Sequence, residues 1–373
     1  MHYLRQFNPE KFFKKIQNGR INRREFTTGL AAAGLVSFKM ANPAQAQSGK
    51  MPTYFTWTSL EVPELHQPFI RKYGRSPNTS IFAGEVEALT KMQAGYQPDL
   101  LHPCLEAMRK WMDAGFLDPI DTSRLQYWND IYPNLQFTEG VVYDGEVRMV
   151  VTNWGNASII YRTDLYEGEE TWGMLFDERY KGRIGGRNTS TMVWAAAQYL
   201  GFDMWNPTDE QLYGPIADLL RKQRDLVRFY WDDPTSMEQG IASGELVIGY
   251  AWNAALVRLL KQGLPVKYAN PKEGIWTWLC GVALVAGRTA DDNIAYDFID
   301  AWLAPETGKY LTENNGTGHS NKNSIKLVDP AIAEGLGIGD VEGLFENGIF
   351  LRPIDPETDL KYVNLFEDIL AGF

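Results

Sequence analysis

Beyond Met51 the chain reads as an α/β protein, because short apolar runs alternate with helix-patterned stretches bounded by Gly or Pro. Two further observations narrow the class. There is no self-similarity at a period of about 20 to 50 residues, which removes solenoids and propellers. The chain has 373 residues, more than one hydrophobic core usually serves, so two domains are expected.

The elements follow in order. PTYFTW reads as a strand, and VPELHQPFIRKYG as a helix with Pro63 near its first turn and Gly74 as its stop. VEALTKMQAG is a second helix ending at Gly95, DLLH a short buried strand, and LEAMRKWMDAG a helix ending at Gly115. VRMVVTN and SIIYR read as extended segments flanking a turn at Trp154-Gly155-Asn156, where the chain passes between domains. The second half repeats the alternation: RIGG, VRFYW, LVIGYAW, PVKYAN and WLCGVALVA as strands. Among its helices are TMVWAAAQYLG, a segment interrupted at Gly214-Pro215, NAALVRLLKQG, NIAYDFIDAWLA and PETGKYLTENNG. The glycine-rich EGLGIGDVEG is read as a turn.

The N-terminal segment is of another kind. Arg5, Lys11, Lys14, Lys15, Arg20, Arg23 and Arg24 precede an uncharged run from Phe26 to Phe38, followed by Ala44-Gln45-Ala46. The run is too short to span a bilayer. Its three-part build predicts an export signal over residues 1–46 cut before Gln47, and the Arg23-Arg24 pair predicts the twin-arginine route to the periplasm. Removing its eight basic and two acidic residues leaves 28 basic against 45 acidic, a net charge of −17. That field repels nucleic acid and anionic lipid and favours cations. No second apolar run is long enough for a membrane span, so no membrane insertion of the mature chain is expected.

The mature chain carries no G-x-S-x-G elbow, no H-E-x-x-H, no Walker loop and no G-x-G-x-x-G after a strand. Only His66, His102 and His319 remain for acid-base work, and the expectation is a protein that is not an enzyme and needs no cofactor. Cys104 and Cys280 are read either as a cross-link or as two core thiols. The more informative feature is aromatic. Of 12 tryptophans, Trp57 and Trp252 end strands, and Trp276 and Trp278 precede the strand carrying Cys280. Indole faces at strand ends attract ammonium groups.

The segments YFTWTS, PDLLHPC, NWGNASIIYRTD, TWGMLFDERYKGRIG, SGELVIGYAWN, NPKEGIWTW and APETGKYL resemble the periplasmic spermidine/putrescine-binding proteins, the solute-capturing components of ABC importers. The resemblance implies a two-lobe α/β clamshell of type II-like topology with ligand in the interdomain cleft. It implies lobe 1 over 47–155 plus 279–324, lobe 2 over 156–278 plus 325–373, and permease subunits as partners. It places cleft tryptophans at Trp57, Trp252 and Trp278. The family's other cleft positions fall on Cys104 and Glu106, on Thr189 and Met192, on Cys280, and near Thr317 or His319. Its usual acids are thus absent at Thr189, Met192 and Cys280, with Glu106 as a replacement for one of them.

Three ligand classes follow. The first is a polyamine or related small organic amine. The second is a quaternary ammonium zwitterion or amino-acid derivative, for which Arg187, otherwise read as a solvated loop charge, would meet a carboxylate. The third is a soft transition metal held among Cys104, Glu106, Met192, Cys280 and His319, although their spacing matches no metal motif.

Overall fold

A computed structural model describes residues 49–336 and 338–373. The predicted export signal lies outside them. Eight strands, numbered here along the chain, form the main sheet path. They are β1 (Thr53–Trp57), β2 (Asn78–Phe82), β3 (Leu100–Leu101), β4 (Val150–Arg162), β5 (Ile184–Arg187), β6 (Val227–Trp231), β7 (Ile248–Trp252) and β8 (Trp276–Val285). Their spatial order is β2-β1-β3-β8-β4-β7-β5-β6.

The outer parts of this path are parallel and the centre is antiparallel. β1 pairs in parallel with β2 and β3, and β5 in parallel with β7 and β6. Parallel strands are covered by helices on both faces, which is why TYFTW and IGYAW are apolar along most of their length rather than alternating. Between these halves β4 and β8 run antiparallel to each other over Trp276↔Ala157 to Val282↔Val150.

The interior divides into two hydrophobic clusters, and the division falls along these two strands. Trp154 and Leu279 belong to the first cluster, Ala157 and Trp276 to the second. A third passage lies near the C-terminus, where Phe345 packs in the first cluster and Leu351 in the second. Between them Ile349–Phe350 pairs in parallel with the start of β8. Val328, Ala333, Leu336, Ile338 and Val341 also pack in the first cluster.

The helices follow their sequence signals closely. Gly74 ends the Gln67–Tyr73 helix in the left-handed conformation at φ 76°, where a side chain would be strained. Pro215 and Gly214 interrupt regular helix, Gly214 having non-helical torsions. The closing helix Pro356–Ala371 opens on Asp355, whose carboxylate accepts from the Glu357 and Thr358 amides, and it buries Tyr362, Leu365, Phe366 and Ile369 in the second cluster.

One expected turn is not a turn. Trp154-Gly155-Asn156 continues β4 as an unbroken strand of 13 residues, all buried but Arg162. Gly155 serves close approach: a Cβ there would stand 2.3 Å from Cζ2 of Trp278 on the facing strand. Gly281 has the same role, since a Cβ would meet the Val150 carbonyl, and the register shifts at Cys280/Gly281. Among the described residues no helix is long and apolar enough to cross a membrane.

The three histidines of the first half of this architecture are interior. The Tyr54 hydroxyl donates to Nδ1 of His102, whose Nε2 donates to Asn153 Oδ1 at 2.8 Å. His319 donates from Nε2 to the Trp302 carbonyl at 2.7 Å. His66 sits against Phe298 at a ring separation of 5.0 Å and against Tyr54 at 5.9 Å. Burial pushes their pKa values down, to about 4 for His66 and His319 and about 3 for His102. The folded state therefore holds them neutral while the unfolded chain protonates them near pH 6.5. Stability from each is present above that value and is lost as pH falls from about 6.5 to about 4 for His66 and His319 and to about 3 for His102. Replacing His66→Phe removes one such proton uptake, so the variant should gain on the parent by up to about 3 kcal/mol as pH drops from 6.5 to 4. Thermal melts of both proteins across that range check this.

Candidate functional site

The parallel strands present their carboxyl ends to a common region, the place where α/β folds put ligands. β1 delivers Trp57 and β7 delivers Trp252 there, each half-buried. β5 ends at Arg187, and the exit from β3 runs through His102-Pro103-Cys104 into a short 3-10 turn, Leu105–Ala107.

On the first-cluster side, the Trp57 indole donates to the His102 carbonyl at 2.9 Å and packs edge-on to Phe82. Two residues further on, Cys104 is bonded to Cys280 of β8, with Cα atoms 3.9 Å apart and 176 residues between them in sequence. The cross-link reading of the two cysteines therefore holds. It also removes two thiolates from the metal reading, and among the described residues no group of three or more His, Cys, Asp or Glu is gathered to hold a metal. Trp278 stands two positions before Cys280 on the same strand, half-buried, with its Nε1 buried and without a hydrogen-bond partner.

Glu106 follows on the turn. Its Oε2 is buried and has no hydrogen-bond partner. Burial raises its pKa, while a backbone hydrogen bond and then the Arg187 and Lys110 charges pull it down. Behind it lies a second acid the sequence did not single out. Glu85, first residue of the Glu85–Gln93 helix, accepts from the Cys104 amide at 2.7 Å and from the Trp111 indole at 2.8 Å. Burial raises its carboxyl to about 8, and the Glu106 charge adds to the rise. Its only sequence signal is an acid at a helix start, which ordinarily means no more than a favourable dipole.

On the second-cluster side, the Arg187 guanidinium lies 4.3 Å from the Trp252 ring centroid and 5.7 Å from that of Trp231. Trp231 and Trp252 meet edge to face at 5.5 Å. Arg187 is therefore no solvated loop charge: it ends a strand and is stacked on an indole. Tyr250, buried behind it with a pKa raised to about 12, feels both the Arg187 and the Glu106 charges.

Of the nine residues named from sequence, the structure links Trp57, Cys104, Glu106, Trp278 and Cys280 through the β3 exit, the disulfide and β8. Trp252 pairs with Ala157 of β4, two positions from the Gly155 that faces Trp278. Thr189 lies just after Arg187, half-buried, its hydroxyl donating to that of Thr191 at 2.9 Å. Met192 and His319 are placed differently. Met192 is fully buried in the second cluster behind Gly186. His319 pairs with Asn153 across β4 from Cys280, and its ring nitrogens are engaged by the Trp302 carbonyl, the Ser324 hydroxyl and the Asn321 amide. A cavity of about 590 Å³ opens elsewhere, lined by Leu256, Val266, Tyr268, Ile275 and Leu344 among others, and shares none of the nine. Its walls are mixed, with Lys267, Glu334 and Asp340 beside the aliphatic side chains, and it contains no indole.

Two outcomes follow for the scaffold. Breaking the bridge by the double change Cys104→Ser, Cys280→Ser should lower the unfolding free energy by about 5 kcal/mol on the chain-entropy estimate for so long a loop, measured by denaturant titration. Gly155→Ala forces its new methyl against Trp278 and Asn253 Oδ1. It should cost about 1–3 kcal/mol and change the Trp278 fluorescence environment.

Comparison with known proteins accords with this geometry. Residues 83–334 match the family described as bacterial extracellular solute-binding protein. The putrescine-binding periplasmic protein PotF of Escherichia coli (strain K12) is 22% identical over 370 residues, covering 94% of this chain and 98% of that protein. The spermidine/putrescine-binding periplasmic protein of the same organism is 22% identical over 359 residues, covering 94% of this chain and 99% of its own. The crystal structure of the spermidine/putrescine ABC transporter substrate-binding protein PotD from Streptococcus pneumoniae superposes with a TM-score of 0.72 at 22% identity, over 86% of this chain and 98% of that one. The expected α/β fold of the periplasmic binding proteins is thus the fold observed. With more than half of its length matched, this chain belongs to the bacterial extracellular solute-binding protein family.

Proposed function

We infer that this protein captures a small organic solute bearing an amine, in the cleft between its two hydrophobic cores, and delivers it to the permease of an ABC importer. The observation that carries the reading is the unpartnered buried carboxyl oxygen of Glu106, on the turn after β3, in a protein whose half-buried Trp57 and Trp252 end parallel strands and whose half-buried Trp278 stands two positions from the Cys280 bonded to Cys104. A buried carboxyl oxygen without a partner costs free energy. A ligand ammonium lying against indole and facing Glu106 would offset that cost and gain about 2 kcal/mol of cation–π attraction where water is excluded.

The relatives named for putrescine and spermidine support an amine as the bound group. The two cores support a two-lobe organisation close to the expected one, 47–155 plus 279–324 and 156–278 plus 325–373. Residues 328–345 are better grouped with the first lobe, because their apolar side chains pack there. The three chain passages between cores are the natural places for lobe closure around the solute. Export over the twin-arginine route to the periplasm rests on the N-terminal sequence and on the periplasmic names of the relatives. The reading assigns no chemical step.

Thermal shift of the mature protein against diamines, betaines and amino acids tests the reading, since a ligand that binds only the folded form raises stability by mass action. At least one amine should raise the melting temperature. For that ligand, Trp57→Ala or Trp252→Ala should weaken binding by about 1–2 kcal/mol in calorimetry. Unchanged affinity in both variants would remove the aromatic cleft from the account.

A further inference from the structure

We propose that the solute carries a carboxylate as well as an amine, with Arg187 binding the carboxylate and Glu106 the ammonium. This rests on reading the strand-end region as the solute site and goes further by naming the ligand's charge pattern. Arg187 and Glu106 stand on opposite sides of that region, one at the end of β5 against the second core and one on the turn after β3 against the first. Among the described residues neither makes an ion pair within 4.0 Å, and Glu106 Oε2 lacks any hydrogen bond. The Arg187 charge nevertheless reaches Glu106 and works against the rise that burial causes there. A cation at the end of β5 and an acid on the turn after β3 are therefore left without an ion-pair partner among the described residues. A molecule that bears a cation at one end and an anion at the other, oriented with its cation toward Glu106, satisfies both.

The stacking of Arg187 bears on the same point. Its guanidinium covers the Trp252 face at 4.3 Å, the position a ligand ammonium would otherwise take on that indole. A second cation brought there would meet a fixed positive charge. The planar fork of the guanidinium suits a carboxylate bidentately, and its contacts with Trp252 and Trp231 hold it in place before the ligand arrives, so little freedom remains to be lost on binding. Diamines are disfavoured by this arrangement. Amino acids and betaines are favoured.

The test uses the mature chain with two sets of probes at equal concentration, α,ω-diamines such as 1,4-diaminobutane and zwitterions such as 4-aminobutanoate and glycine betaine. Calorimetry and thermal shift give the affinities. The parent should bind at least one zwitterion at least tenfold more tightly than any diamine. Arg187→Met should lower that zwitterion's affinity at least tenfold and narrow or invert the preference. Arg187→Lys, which keeps the charge and guards against a folding defect in the first variant, should retain part of the preference. Glu106→Gln should weaken the zwitterion without favouring diamines. If a diamine binds the parent as tightly as any zwitterion and Arg187→Met leaves that binding unchanged or stronger, the carboxylate assignment is wrong while the solute site stands. If neither set shifts the parent, the inference and the solute reading fall together.

Discussion

The close passage of β4 against β8 is the constraint on which the rest of the molecule depends. Each strand begins in one hydrophobic core and ends in the other, so the two cores are joined by a continuous hydrogen-bonded ladder rather than by loose linkers. Such a ladder leaves little space where side chains would collide. Glycine at 155 and 281 provides it, letting Trp278 lie across one strand and the Val150 carbonyl approach the other. The bridge from Cys280 to Cys104 then ties the β3 exit to the same ladder. Trp278, Cys280, Cys104 and Glu106 consequently occupy fixed relative positions before any solute is present.

The polar chemistry at the strand ends is organised by burial rather than by numbers of charges. Glu85 is held by a backbone amide and an indole, which satisfies its oxygens while raising its pKa. Glu106, beside it, is left with an open oxygen. The Glu106 charge makes Glu85 harder to ionise, and a nearby cation relieves both. That cation need not come from the protein, because Arg187 is occupied with two indoles and stands beyond ion-pair distance.

Much of the architecture was legible in the sequence because its signals are local. Apolar runs at parallel strands, Gly74 after a helix and the break at Gly214-Pro215 all act within a few residues of themselves. What failed was whatever depends on a distant partner. Gly155 looks like a turn residue until Trp278, more than a hundred positions later, is seen against it. The pairing of Cys104 and Cys280 could not be decided across 176 residues. Arg187 looked like a loop charge because nothing adjacent in sequence announces Trp252 beneath it. His319 drew attention as one of few histidines, yet its ring is spent on internal hydrogen bonds. That Trp57 and Trp252 end strands was readable because the apolar runs stop at them.

The interior placement of His66, His102 and His319 has a consequence for the outside of the molecule. With no imidazole on the surface among the described residues, the side chains facing solvent keep nearly constant charge from about pH 5 to 8, where imidazole alone would ordinarily titrate. A compartment whose acidity follows the external medium would therefore leave the long-range electrostatic profile of this receptor almost untouched, and its encounter rates with charged solutes and with a membrane partner would be buffered against such swings.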